Sequence, residues 1–267
     1  MHTKSTKYVW LMGGFGNVLF QGFAAYVLRE QGNSVEMIDN LTRKSLITII
    51  LGWSIHDNKI NSLLLDGIKT KKTPSIILFS LVFMNKLFGF FSNYICIFEK
   101  KKDMNNKSIH HFGYFQSVYF LIKNKQNFKS YCLILRNKII PNVNLENNNS
   151  VVIHYRWGDS DWAKENVSYY KSVRECLQKE YQNYEKLVIT DDIKAAKSFF
   201  SNVTDVKIER NSVLQDFQKL CSSSIIFTSP STFSWWASHI GISNLIYVSS
   251  IINDKLGVHK DCIKVVL

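Results

Sequence analysis

The chain has 267 residues, 46% of them hydrophobic and 20% charged; this balance excludes a disordered polypeptide and provides for two modest domains or one large one. Its formal net charge of +12 is one-sided: residues 1–149 hold 19 Lys and Arg against 8 Asp and Glu, whereas residues 150–267 hold 14 against 13. A basic half calls for an anionic partner (nucleic acid, anionic lipid or a phosphate-bearing substrate) unless it is simply a solvated basic face. The cysteines at 96, 132, 176, 221 and 262 form no CxxC pair, which argues against a zinc ribbon or thioredoxin-like site and suits reduced thiols in a cytosolic protein.

The N-terminal "MHTKSTKYVWLMGG" lacks a secretory apolar region of proper length. "YVWLMGG" (8–14) is a short apolar run ending in glycines, and "GNVLFQGFAAYVLREQG" (16–32) has helical spacing with Gly32 as its stop. "SVEMIDN" (34–40) alternates like a strand, which completes a strand–turn–helix–strand unit. Residues 41–140 read mostly as helices. Within them 75–98 is strongly apolar, but Asn85 and Lys86 interrupt it, and a spanning helix needs about 20 continuous apolar residues. It reads as a core helix or a helix in a membrane interface, flanked by the lysines of 69–72 and 100–102.

The Asn-rich "PNVNLENNNS" (141–150) reads as a linker between a first domain, 1–149, and a second, 150–267. Strands and helices then alternate: strands at "VVIHY" (151–155), 186–190, 205–209, 225–229 and 244–249, with helices at 168–181, from 192, at 213–224 and at 231–241. Such alternation implies a parallel sheet with helices on both faces, whose ligands bind beyond the carboxyl ends of the strands. His154, Arg156, Asp159, Asp191, Asp192 and the run Ser229 to Ser234 all follow the end of a strand in that pattern.

These residues have a coherent chemistry. Arg156 offers a planar, permanently charged fork suited to diphosphate oxygens. "SPSTFS" opens a helix, so backbone N–H groups and the hydroxyls of Ser231, Thr232 and Ser234 can surround an anion. Asp191 and Asp192 admit three uses: a divalent cation, a nucleobase, or the cap of the next helix. In "GGFGNVLFQ" (13–21) the third glycine of a dinucleotide fingerprint falls on Leu19 and no Walker lysine follows, so a nicotinamide or ATP site is disfavoured. Its glycines still allow close backbone approach, and Asn17 can hydrogen-bond a ligand. Trp235, Trp236, His239 and the pair His110–His111 read as packing residues.

Taken in order, "GGFGNVLFQ", "GYFQS" (113–117), "HYRWGD" (154–159), "ITDD" (189–192) and "SPSTFSWWAS" (229–238) resemble the motifs of glycosyltransferase family 11, the α-1,2-fucosyltransferases. The resemblance implies a GT-B-like α/β fold: two Rossmann-like domains with the nucleotide-sugar site in the cleft. It implies an inverting transfer of L-fucose from GDP-β-L-fucose to a hydroxyl, with the 2-OH of a galactoside in a surface glycan or O-antigen-type oligosaccharide as the expected acceptor, and with no metal or other cofactor. The first domain would serve the acceptor and the second the GDP-sugar. His154 and one of Asp191 and Asp192 would face guanine or ribose. Arg156 would hold the leaving phosphate, Ser231, Thr232, Phe233 and Ser234 would line the phosphate side, and Gly14, Gly16 and Asn17 would close over diphosphate and sugar. Asp159, Asp161 and Glu165 are candidate bases, none of which stands out, and Asp159 is taken as the catalytic one. The sequence departs from the family pattern at Trp157, where a second arginine is usual, at Ser160 and at Val18.

Other classes compete. A non-catalytic nucleotide-sugar-binding module would carry the same residues, as would a fucosyltransferase of different linkage. A nucleic-acid-binding protein would exploit the basic half, but no aromatic–basic RNA signature or zinc motif accompanies it. The expected setting is the cytoplasm, with peripheral contact to anionic membrane and an acceptor that is either lipid-linked or free.

Overall fold

A computed structural model describes residues 6–41, 68–71, 95–97, 108–141, 150–158, 166–257 and 263–267. The chain divides into two compact units, Met1–Lys138 and Ile139–Leu267. The Asn-rich segment read as a linker lies, over 142–149, outside the described residues, as do Asp159, Asp161 and Glu165.

In the first unit the apolar strand β1 (Thr6–Met12) leads into α1 (Phe15–Glu30) and then β2 (Ser34–Leu41). Helix α1 is apolar nearly all round, and such a helix is stable only inside a core. From Phe15 to Leu28 every residue but Asn17 is buried. Phe23 meets Phe120, Phe128 and Tyr131 at ring distances of 5.4, 5.4 and 5.8 Å. Those three stand on α2 (Val118–Lys123) and α3 (Lys125–Ile139). Helix α1 stops where the sequence said it would: Gly32 takes φ +86°, and the N–H groups of Gln31, Gly32 and Asn33 turn back onto Val27, Arg29 and Leu28.

Within 41–140 the described residues include strands that the apolar spacing did not announce. This region contributes β3 (Thr70–Lys71), β4 (Ile95–Ile97) and β5 (His110–Phe112), and all five strands pair in parallel in the order β3-β2-β1-β5-β4. The apolar segment 75–98 is thus not helical at its end, because Ile95–Ile97 finds backbone partners along β5; residues 75–94 lie outside the described residues. Among the described residues no helix is long and apolar enough to cross a membrane.

The second unit follows the expected alternation. It runs β6 (Ser150–Tyr155), α4 (Val167–Lys179), β7 (Glu185–Thr190), α5 (Ile193–Phe199), β8 (Val206–Glu209), α6 (Val213–Cys221), β9 (Ile225–Phe227), α7 (Thr232–Ile240) and β10 (Leu245–Val248). Two further elements, α8 (Ser250–Leu256) and β11 (Ile263–Val266), close the chain. The six strands are parallel in the order β11-β10-β9-β6-β7-β8. Side chains do the capping: Asp192 caps α5, Ser212 and Gln215 form a reciprocal capping box on α6, and Ser231 and Ser249 cap α7 and α8. The core lies between the strands and α4, with Val151, Ile153, Tyr155, Val188 and Phe227 against Tyr170, Val173 and Leu177.

Gly32 isolates a backbone effect, because no atom lies within 4 Å of the place a Cβ would take. We expect Gly32→Ala to lower unfolding free energy by about 1 kcal/mol through left-handed strain alone, measured by urea titration. A change below a few tenths would mean that α1 ends otherwise.

Candidate functional site

In the second unit the strand order reverses between β6 and β9. Strands β6, β7 and β8 extend one way and β9, β10 and β11 the other. Open parallel sheets bind ligands in the crevice that this reversal leaves at the carboxyl ends of the strands. His154 lies near the end of β6, and Arg156 follows it. Ser229 to Ser234 follow β9 and open α7.

A chain of hydrogen bonds joins the two sides of the reversal. His154 Nδ1 and Ser229 Oγ lie 2.6 Å apart, and Ser229 Oγ and Ser234 Oγ 3.2 Å apart. The Ser229 N–H donates to Ser234 Oγ at 3.0 Å. The Tyr170 hydroxyl also bonds Ser229, and it accepts from the Arg156 N–H at 3.3 Å. The ends of β6 and β9 and the first turn of α7 are therefore fixed to one another. Burial, with the nearby Arg156 charge, pushes the His154 imidazole down to about 3, so it is neutral at physiological pH. A neutral imidazole joined to Ser229 through Nδ1 keeps Nε2 as its second hydrogen-bonding atom, and its ring packs 5.3 Å from Phe233. Ser231 caps α7 by accepting from the Phe233 N–H at 3.2 Å, and Ser231, Thr232 and Phe233 remain half-buried while Ser234 is fully buried.

The adjacent aspartates separate into two tasks. Asp192 is a helix cap, its Oδ1 accepting from the Ala195 N–H at 2.9 Å. Asp191 braces the loop after β6. Its Oδ1 accepts from the N–H groups of Trp157 and Gly158 at 2.8 and 3.1 Å, and its Oδ2 lies 4.0 Å from Arg156 Nε. Arg156 and Asp191 are each little more than a quarter exposed, so the pair is ordered yet open to a ligand. Trp157 stacks on Tyr155 at 5.5 Å, which turns it toward the core. Arg210, which the sequence did not single out, donates to the Asp191 carbonyl at 3.0 Å and adds a second cation to this edge. No group of three or more His, Cys, Asp or Glu able to hold a metal ion occurs among the described residues.

The first unit has a reversal of its own, between β1 and β5. Gly14 is the N-cap of α1 in extended conformation, Gly16 is buried in its first turn, and Asn17 is half-buried beside them. The glycine that the backbone requires is Gly13, at φ +75°. Its missing Cβ would strike Asn17 Nδ2 and come 2.9 Å from the Tyr114 ring. Gln21 is fully buried; it accepts from the Met12 N–H at 3.0 Å and donates to the carbonyls of Met12 and Gly113, both at 3.1 Å. Sequence reasoning offered the glycines of 13–21 for close backbone approach but gave no role to Gln21, Tyr114 or Gln116, although the last two lie in "GYFQS". Ser229 and Tyr170 were likewise missed; Ser229 was legible only as the residue after a strand.

Two parallel sheets flanked by helices, each with polar groups at a strand-order reversal, define a GT-B-like α/β glycosyltransferase fold. The structure is similar to E. coli heptosyltransferase WaaC with ADP, with a TM-score of 0.53 and 10% identity over 98% of this chain and 93% of that one. It also matches NodZ alpha-1,6-fucosyltransferase soaked with GDP-fucose (TM-score 0.39, 12% identity, 90% and 93% covered) and fucosyltransferase NodZ from Bradyrhizobium (0.41, 10%, 90% and 93%). No curated protein matches significantly in sequence. The sequence profile described as Glycosyl transferase family 11 matches residues 69–261, more than half of the chain. The chain belongs to glycosyltransferase family 11.

The neutral His154 has a consequence for stability. Below the unfolded value of 6.5 the unfolded chain takes up a proton that the native site refuses until about 3, so stability falls as pH drops through that window. His111, fully buried in the first unit and lowered to about 4, acts in the same direction. Between pH 6 and 5, His154→Gln should reduce the slope of unfolding free energy against pH by about 1 kcal/mol per unit, leaving the His111 share in place. Parallel slopes for wild type and variant would show that His154 protonates as readily in the native state.

Proposed function

We propose that the chain transfers L-fucose, with inversion, from GDP-β-L-fucose to a hydroxyl, and that the acceptor is the 2-OH of a galactoside in a surface glycan such as an O-antigen-type oligosaccharide. The observation that carries this reading is the convergence of Arg156, the neutral His154 and the capped start of α7 at one reversal of the second sheet. Membership of family 11 and the motifs at 13–21, 113–117, 154–159, 189–192 and 229–238 support it.

Transfer breaks the bond between the anomeric carbon and the β-phosphate oxygen, and the electron pair leaves with GDP. The acceptor oxygen attacks the opposite face of the sugar, which converts β to α, and its proton passes to a base or to water. Asp159 remains our candidate for that base. Negative charge grows on the diphosphate as the bond stretches. Arg156 answers it with a guanidinium held in place by Asp191, Arg210 adds a second cation, and Ser231, Thr232 and Ser234 bring hydroxyls and helix N–H groups. Arg210 thereby offsets the arginine absent at Trp157. His154 presents Nε2 to the guanine or ribose, and Phe233 supplies an apolar wall. Gly14, Gly16 and Asn17 are assigned to the diphosphate and sugar on the motif at 13–21. With cations and helix N–H groups at the phosphates, no metal ion is needed.

Arg156→Ala should lower kcat by about 10²–10³ with the fold intact, and Arg156→Lys should not restore it because the bidentate fork is lost. Wild type should keep its full rate in EDTA. The assay is product formation from GDP-fucose over a panel of galactosides, with linkage mapped. More than a tenth of wild-type rate in Arg156→Ala, or a collapse on chelation that Mg²⁺ or Mn²⁺ restores, would overturn the site.

We also propose peripheral contact between the first unit and an anionic membrane, suited to a lipid-linked acceptor. Tyr119, Ile122 and Leu133 on α2 and α3 are more than half exposed and stand among Lys123, Lys125 and Lys129, with no acidic residue from 104 to 145. Each basic residue near such a surface contributes on the order of 1 kcal/mol, and salt screens it. The protein should co-sediment with phosphatidylglycerol liposomes at low salt, and charge reversal at Lys123, Lys125 and Lys129 should release it without slowing transfer to a soluble acceptor. Equal sedimentation with neutral liposomes would remove the electrostatic argument.

A further inference from the structure

We propose that Gln116 is a positioning residue for transfer: it sets the direction of the Asn17 side-chain amide at the ligand edge of the first sheet. The proposal rests on the assignment of Asn17 to transfer made above. An asparagine amide has a donor end and an acceptor end, and left alone it can present either. Here Gln116 Nε2 donates to Asn17 Oδ1 at 2.6 Å, across 99 residues of sequence. With the oxygen taken up, Nδ2 must face the other way, beside Gly13.

The surroundings hold this arrangement. A side chain at Gly13 would occupy the space that Asn17 Nδ2 and the Tyr114 ring use. The fully buried Gln21 ties the end of β1 to Gly113, just past β5, so the first turn of α1, which carries Asn17, and the loop that carries Gln116 keep their spacing. Gly113 and Phe115 on either side of Tyr114 have φ of 140° and 53°. A buried phenylalanine in the left-handed region is strained, and such strain persists where the surrounding structure fixes it for a purpose. The result is an N–H donor, not a carbonyl, offered to the ligand. A donor stabilises developing negative charge or grips a sugar oxygen; a carbonyl at the same place would repel both.

The test combines kinetics with a double-mutant cycle. Gln116→Met keeps the length of the side chain and removes its donor. It should lower kcat about tenfold or more with donor KM within about twofold and thermal stability unchanged. Gln116→Glu should be slower still, because a carboxylate attracts Nδ2 and turns the amide round. Asn17→Ala should lower kcat further, and the double variant Asn17→Ala with Gln116→Met should be no slower than Asn17→Ala alone. Additive losses, or a wild-type rate in Gln116→Met, would overturn the proposal. Full transfer by Asn17→Ala would instead remove the role of Asn17 and the proposal with it, leaving the Arg156 site standing. A readout independent of transfer is the pair of Asn17 side-chain amide signals in ¹⁵N NMR, identified by their loss in Asn17→Ala. Gln116→Met should shift them, Gln116→Glu should shift them differently, and unchanged signals in either variant would overturn the proposal whether or not fucose is the sugar transferred.

Discussion

At a reversal of strand order, the connections of neighbouring strands leave toward opposite faces of the sheet, and no connection covers the gap at their carboxyl ends. Right-handed crossovers make this unavoidable in a parallel sheet. In the second unit the gap lies between β6 and β9. Polar atoms at such a place must find partners or face water, and the hydrogen bonds from His154 through Ser229 to Ser234 meet that demand. They also stiffen the carboxyl end of the sheet at this reversal. A neutral imidazole fits the role better than a charged one, since a buried cation beside Arg156 would be repelled and poorly solvated.

The charges around this gap are held by the same economy of backbone groups. Asp191 takes two N–H groups of the loop after β6 on one oxygen and turns the other to Arg156, while its carbonyl takes Arg210. One residue thus fixes a loop and aligns two cations. A carboxylate engaged in this way is a poor metal ligand, and its neighbour Asp192 is committed to capping α5. On the proposed reading, this edge would meet a diphosphate with cations and hydroxyls.

Much of the second unit was legible in the sequence because its strands are short apolar runs and all its helices but α4 open with Ser or Asp. Those signals are local, and they marked Asp191 and Asp192 as candidate caps and placed His154 and Arg156 at a strand end. Which aspartate caps was not legible, since both precede the same helix. In the first unit, "TK" and "HHF" carry no apolar run; they become β3 and β5 only because β2 and β1 offer backbone partners. Gly113, one partner of Gln21, lies 92 residues from it, and Asn17 lies 99 from Gln116; no local pattern encodes such pairings. The "GGFG" turn was visible, but not that its left-handed residue is Gly13, which depends on the crowding from Asn17 and Tyr114.

The central claim is that a nucleoside diphosphate sits at the reversal in the second sheet. Hydrogen–deuterium exchange of the intact protein, with and without saturating GDP and in EDTA, locates it most directly. The account predicts slowed exchange at 154–158, 189–192 and 229–236, and no change where β7 and β8 begin, around 182–186 and 203–207. Protection at those opposite ends, or none at 154–158 and 229–236 while GDP is bound, would contradict it.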